Sequence, residues 1–269
     1  MRRLVTAAAV AGMITAATLI GAGSASAADT GTVYVVHGIP DTPVDVYVDG
    51  ALTLDDFQPG TVAGPLALPA GTYDVAITAA DAADDSSPVL SGSAEVAAGV
   101  SASLVAHLTA AGEPALTAFV NDTSTIAAGE TRLVVRHTAA APAVDVRAGG
   151  AVVLAGVTNP QQGELNIPAG TVSADVTLAG TSTVAIGPAD LDLAEGTATF
   201  VHAIGSAEAG NLSLVAFTIT GLHSSPSGVP AGSGPADSPA ATVLLIGLLA
   251  AGAGATVFGG RRLLAGRTS

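Results

Sequence analysis

The stretch Val33 to Gly50, VYVVHGIPDTPVDVYVDG, decides the fold, because it returns one hundred positions later as Leu133 to Gly150, LVVRHTAAAPAVDVRAGG. His37 aligns with His137, and Val44-Asp45-Val46 with Val144-Asp145-Val146. The chain is therefore built on a duplicated unit. In the first copy a valine-rich run ends in histidine, and Val44 to Val48 then alternates valine with more polar side chains. That is the period that turns one face of a strand inward and the other outward. Asp49-Gly50 follows, and Ala51-Leu52-Thr53-Leu54 resumes the pattern. An Asp-Gly pair between two such runs predicts a two-residue hairpin, since both turn positions require positive φ.

Further along, Pro69-Ala70-Gly71 leads into a run from Thr72 to Thr78, and Pro168-Ala169-Gly170 into a run from Thr171 to Leu178. Asp45 to Thr72 is 27 residues and Asp145 to Thr171 is 26, so the copies differ there by a single residue. The Pro-Ala-Gly element predicts a second hairpin. Gly99 then matches Gly196, and Phe119 matches Phe217. The largest difference is an acidic loop at Asp81 to Ser87, which the second copy replaces with Ala179-Gly180-Thr181. Surface loops tolerate such changes. About eight short strands per copy, punctuated by Gly and Pro with no helical period before residue 240, predict two tandem immunoglobulin-like antiparallel β-sandwich domains. They are assigned to residues 28–122 and 131–220, joined by a polar linker at 123–130 that is too short for fully independent motion.

The ends read differently. Met1-Arg2-Arg3, an apolar run from Leu4 to Ile20 and the small residues Ala25-Ser26-Ala27 predict a secretory signal peptide over residues 1–27. Residues 221–239 are rich in Ser, Pro and Gly, a composition that cannot bury enough surface to offset ordering entropy, and they read as a stalk. Residues 240–260 are apolar, and about 19 helical residues reach roughly 28 Å, close to the thickness of the hydrocarbon core. The basic tail at 261–269, with Arg261, Arg262 and Arg267, places that end on the cytoplasmic side. The expectation is a single-pass cell-membrane protein whose folded part is extracellular and whose membrane contact is one C-terminal helix. Wall anchoring is the alternative, although Val229-Pro230-Ala231-Gly232-Ser233 lacks the Leu and Thr of a sorting motif.

Charge narrows the partners. All 22 acids lie between Asp29 and Asp237, whereas only three of the 8 basic residues, Arg132, Arg136 and Arg147, lie in that span, a balance of −19. Nucleic-acid binding needs a cationic footprint, and this span has none. A cell-envelope polymer or a surface protein remains as partner. No cysteine is present, so neither disulfides nor thiol chemistry enter. With 5 Phe, 3 Tyr and no Trp, the cores must rest on Val, Leu, Ile and Ala.

Taken together, His37-Gly38-Ile39-Pro40-Asp41-Thr42-Pro43, the strand Val44 to Gly50 and the segment Leu68 to Val75 resemble the exported bacterial domain of unknown function 4397. The resemblance extends over two tandem copies. The second departs in that His137-Thr138-Ala139-Ala140-Ala141-Pro142 lacks the Pro-Asp pair and Arg147 stands in place of Tyr47. It implies an architecture and a cell-surface setting, and no activity.

The residues offer few chemical candidates. Asp41, Asp45 and Asp49 are spaced by four and are calcium candidates together with Asp55 and Asp56 across the hairpin, because calcium needs several oxygens at short range. Each also has a plainer reading: Asp41 and Asp49 belong to turns, and Asp45 is expected to face outward on its strand. His37, Asp45, His137 and Asp145 recur at matching places with no assigned role. A histidine closing a strand is expected to act as a hydrogen-bonding plug between loops, and His107, His202 and His223 show no metal-ligand spacing with either one. Nucleophile elbow, His-Glu metal helix and phosphate loop are all missing from the sequence, so no enzyme and no cofactor are expected. The expected function is a structural or interaction module of the cell envelope, with a carbohydrate- or protein-binding adhesin and a calcium-dependent spacer as alternatives. A sugar platform would draw on Tyr34, Tyr47 and Tyr73.

Overall fold

A computed structural model describes residues 29–224; the expected signal peptide, most of the stalk, the apolar segment and the basic tail lie outside them. The described residues form sixteen strands. The first eight are β1 (Thr30–His37), β2 (Val44–Val48), β3 (Ala51–Phe57), β4 (Val62–Pro69), β5 (Gly71–Ala79), β6 (Leu90–Val96), β7 (Ser101–Leu108) and β8 (Pro114–Asn121). The second eight are β9 (Glu130–His137), β10 (Val144–Ala148), β11 (Ala151–Val157), β12 (Gln162–Pro168), β13 (Gly170–Leu178), β14 (Val184–Leu193), β15 (Ala198–Ile204) and β16 (Ser213–Ile219). No helix among the described residues is long and apolar enough to cross a membrane.

Each set of eight makes two four-stranded sheets, ordered β4-β1-β7-β8 and β3-β2-β5-β6 in the first copy, β12-β9-β15-β16 and β11-β10-β13-β14 in the second. The described residues are thus all-β, with two tandem sandwiches. One pair in each is parallel, β1 with β7 and β9 with β15, while the other pairings are antiparallel. The Asp49-Gly50 hairpin forms as its residues require, with φ of 49° and 76°. The Pro-Ala-Gly elements do not form hairpins. β4 and β5, like β12 and β13, lie in different sheets, so Pro69-Ala70-Gly71 and Pro168-Ala169-Gly170 are corners that carry the chain across the sandwich. Turn residues mark a change of direction, and only the pairing partners reveal whether the next strand returns beside the last.

Between the sheets of the first copy lie Val44, Val46, Val75, Ile77, Leu104 and Ala106; the second copy buries Leu133, Val135, Val146, Leu193 and Val201. Each Val, Leu or Ile among them contributes about 1.5–3 kcal/mol on burial, so small aliphatic residues suffice when there are enough of them.

One outward face of each sandwich is also covered. Val36, Val105 and Phe119 of the first sandwich form one apolar cluster with Ile204, Val215 and Phe217 of the second, and the Tyr34 ring stacks on Phe217 at 4.4 Å. The sheets centred on β1/β7 and β9/β15 therefore lie face to face. A Cβ on Gly38 would meet the Ile204 Cγ2 at 2.9 Å and the Ala106 carbonyl at 3.0 Å, so this contact leaves no room for any other residue. The linker is part of the same body: Ile126 is fully buried and its N–H donates to Leu222 O at 2.8 Å. The result is four stacked sheets in one compact unit, beyond the restricted hinge that linker length alone implies.

Candidate functional site

Three groups of polar side chains stand out. The first is the repeated histidine. His37 Nε2 donates to Thr42 O at 2.8 Å and His137 Nε2 to Pro142 O at 2.9 Å, in each copy tying the end of the first strand to the loop five residues on. Both rings are buried, and burial is the main reason their pKa values lie below the ordinary histidine value. Neither Nδ1 has a partner, which suits the neutral tautomer.

The second is the repeated aspartate. Asp45 is 2% exposed, so the outward position expected of it is wrong. Its Oδ1 accepts the Asp56 N–H at 2.8 Å, and Asp145 Oδ1 accepts the Gly156 N–H at 2.7 Å. Both partners lie where the β2/β3 and β10/β11 ladders slip, with φ of 49° and 64°. A bulge leaves one N–H out of the ladder, and the buried carboxylate satisfies it. In the second copy Gly180 N–H also donates to Asp145 Oδ2, and these two donors hold the carboxyl below the usual range. In the first copy the longer loop instead brings Asp81 near, whose charge, with burial and the charges of Asp55 and Asp45, raises Asp56.

Carboxylate oxygens of Asp45, Asp55 and Asp56 lie within 4.8 Å of one another, the arrangement among the described residues closest to a cation site. Asp41 and Asp49 do not join it: Asp41 Oδ2 accepts from Asn211 Nδ2 at 3.3 Å, and Asp49 Oδ1 accepts the Asp74 N–H at 2.8 Å. One Asp45 oxygen is already engaged by the Asp56 N–H, so part of the roughly six to eight oxygens that calcium takes would have to come from carbonyls or water.

The third group lies between the sandwiches and was not anticipated. Arg136 has no exposed surface. Its Nε donates to Gln162 Oε1 at 2.9 Å, its Nη2 to Asn121 Oδ1 at 2.8 Å, and its Nη1 to His202 Nε2 at 3.3 Å. The guanidinium lies 4.6 Å from the Phe119 ring centre and 5.0 Å from that of Phe200. No carboxylate among the described residues pairs with it, and burial pushes its pKa down to about 9, so the group stays cationic at neutral pH. Ser103 and Ser101 complete the network around Asn121. His202 is depressed to about 3, by burial first and by Arg136 second. His107 accepts the Thr117 hydroxyl on Nε2 at 2.8 Å while its Nδ1 bonds Leu108 O, the polarity of a base and nucleophile pair. The ring is buried, with 1% of its surface exposed.

Residues 31–147 match the family model described as Domain of unknown function (DUF4397). That stretch is a DUF4397 domain. The match starts in β1 and ends within β10, so the DUF4397 assignment covers the first sandwich, the linker and the opening strands of the second. No curated protein matches the chain.

The tyrosines form no platform. Tyr34 and Tyr47 are buried, and Tyr73 is half-buried with its hydroxyl donating to Pro69 O at 2.8 Å. Of the interface residues, Arg136 had one signal in the sequence: an arginine at an apolar-strand position, in a span with only three basic residues. Asn121, Gln162 and His202 had none.

Proposed function

We propose that the chain is a non-catalytic module of the cell envelope, exported and membrane-tethered, in which two sandwiches act as one stiff body that displays its loops to a surface protein. The observation that supports this reading most is the interface around Arg136, where buried polar and aromatic side chains of the two sandwiches meet. A stiff spacer needs such a joint, whereas a string of independent binding modules does not. The export signal, stalk and apolar segment read from the sequence supply the setting. A protein partner is preferred to a sugar because no tyrosine is presented for stacking.

The test is cell fractionation with an epitope inserted after Asp29. The tagged chain is expected in the membrane fraction, cleaved by protease added to intact cells, and released to the medium when translation stops after residue 220. Recovery in the cytoplasm, or full protection from external protease, would refute the proposal.

A further inference from the structure

The first sandwich is hollow where the second is filled. Between β3-β2-β5-β6 and β4-β1-β7-β8 lies a cavity of about 100 Å³, walled almost wholly by apolar atoms, whereas the corresponding space in the second sandwich measures about 20 Å³. Strand register gives the reason. After the corner, Tyr73 pairs with Ala94 and Gly71 with Val96; in the second copy Val172 pairs with Leu191 and Gly170 with Leu193. Leu191 and Leu193 both pack into their core, and the first copy sets Ala94 and Val96 in their places. Tyr73 is larger than Val172, but its hydroxyl is tied to the corner at Pro69 and its ring lines the wall.

The cavity leads outward. A second hollow, of about 370 Å³, opens at the edge between β6 and β8 and shares Glu95, Val96, Ala102 and Ala118 with the first. Two alanines thus form the neck. At the outer rim Val120 is 66% exposed, the largest exposure of any large apolar residue described. Apolar cavities of this order stay dry and take up small apolar guests. Glu95 at the neck, in a span carrying −19, repels an anionic head group.

We propose that the first sandwich is a binding site for the end of an unbranched hydrocarbon chain with a neutral head, the chain entering between β6 and β8 past Val120 and ending beside Ala94. The inference is independent of the envelope reading above and stands or falls on its own test. Full-length chain is irradiated with a photoreactive diazirine analogue of 1-decanol, and the labelled peptides are mapped by mass spectrometry. Label is expected on peptides holding Val96, Ala102 and Ala118, displaced by 1-decanol and not by decanoate. Ala94→Leu, which restores the second copy's residue type, is expected to cut labelling roughly tenfold, the worth of burying about two methylenes, while leaving the melting temperature unchanged or higher. Val120→Glu, at an exposed position that does not threaten folding, is expected to do the same. Undiminished labelling in both variants, or equal label in the second sandwich, would overturn the site; equal displacement by decanoate would overturn the neutral-head assignment.

Discussion

Replacing Arg136 tests whether the two sandwiches are held by shape or by charge. Its bonds to Gln162 and Asn121, at 2.9 and 2.8 Å, are charge-assisted and contribute about 1.5–3 kcal/mol each. Its seat between Phe119 and Phe200 adds about 2 kcal/mol for a desolvated cation over aromatic rings. Opposing both is the cost of burying an unpaired guanidinium, several kcal/mol. Arg136→Ala loses the favourable contacts and leaves a void between the rings, for an expected loss of about 3–5 kcal/mol. Arg136→Met keeps the slot filled and removes the desolvation cost; Asn121 retains the Ser103 hydroxyl, so this variant should lie within about 1 kcal/mol of the parent. Arg136→Lys keeps the charge but loses the planar fork, and should resemble alanine more than methionine. Urea unfolding followed by circular dichroism gives the three values. A loss below about 1 kcal/mol for alanine, or a methionine variant as weak as alanine, would refute the account.

Four buried histidines, His37, His107, His137 and His202, are all held below their ordinary value mainly by burial. Protons therefore bind the unfolded chain more readily, and stability should fall as pH drops below about 6.5, the His202 share being spent near pH 3. His202→Gln, which still offers Arg136 an acceptor, should flatten the urea-midpoint profile between pH 6.5 and 4; an unchanged slope would sink the assignment. Asp145→Asn should destabilise at pH 7, and the gap to the parent in urea midpoint should close as pH falls through the carboxyl's depressed folded value, because its contribution is fully present above the unfolded value and lost below the folded one. Asp56→Gly should raise the melting temperature at pH 7, since it removes repulsion by Asp81 and suits the positive φ. Millimolar calcium, tracked by the same melting curve, is expected to shift it by less than about 2 °C; a rise of about 10 °C that Asp45→Asn abolishes would make the Asp45, Asp55, Asp56 group a cation site.

Alternation and turn chemistry carried most of the fold. The duplicated Val-Asp-Val runs, the Asp49-Gly50 turn and the count of short strands are local signals, and local physics fixes them. What escaped was pairing. Pro69-Ala70-Gly71 looks the same whether the next strand joins its own sheet or crosses to the other, because the turn residues say nothing about the distant partner. Asp45 was misplaced for a similar reason. Strict alternation puts it outside, but the bulge opposite it supplies an N–H that only a buried carboxylate answers. Its recurrence as Asp145 was the visible clue. The interface was hidden more deeply, since Phe119, Phe200 and Phe217 read as ordinary core residues and only Arg136, an arginine at an apolar-strand position, hints that its face is built against a second domain. The cavity was legible in principle: Ala94 against Leu191 is a difference between copies that becomes meaningful once the register aligns them.

The parallel pairing of β1 with β7 bears on when the protein can fold. Thr32 lies beside Ser101, and Arg132 beside Ala198, so the centre of each sandwich joins segments nearly seventy residues apart. Loop-closure entropy must be overcome before such contacts contribute, and sheets rich in them form slowly. A chain leaving the ribosome cannot close its first sandwich until β7 has emerged, and cannot cover Phe119 until β15 and β16 follow. Under the export proposed above, in which the polypeptide is threaded unfolded through a narrow channel, slow closure is an advantage: the wiring that makes the finished body stiff also keeps the nascent one pliable until it is across.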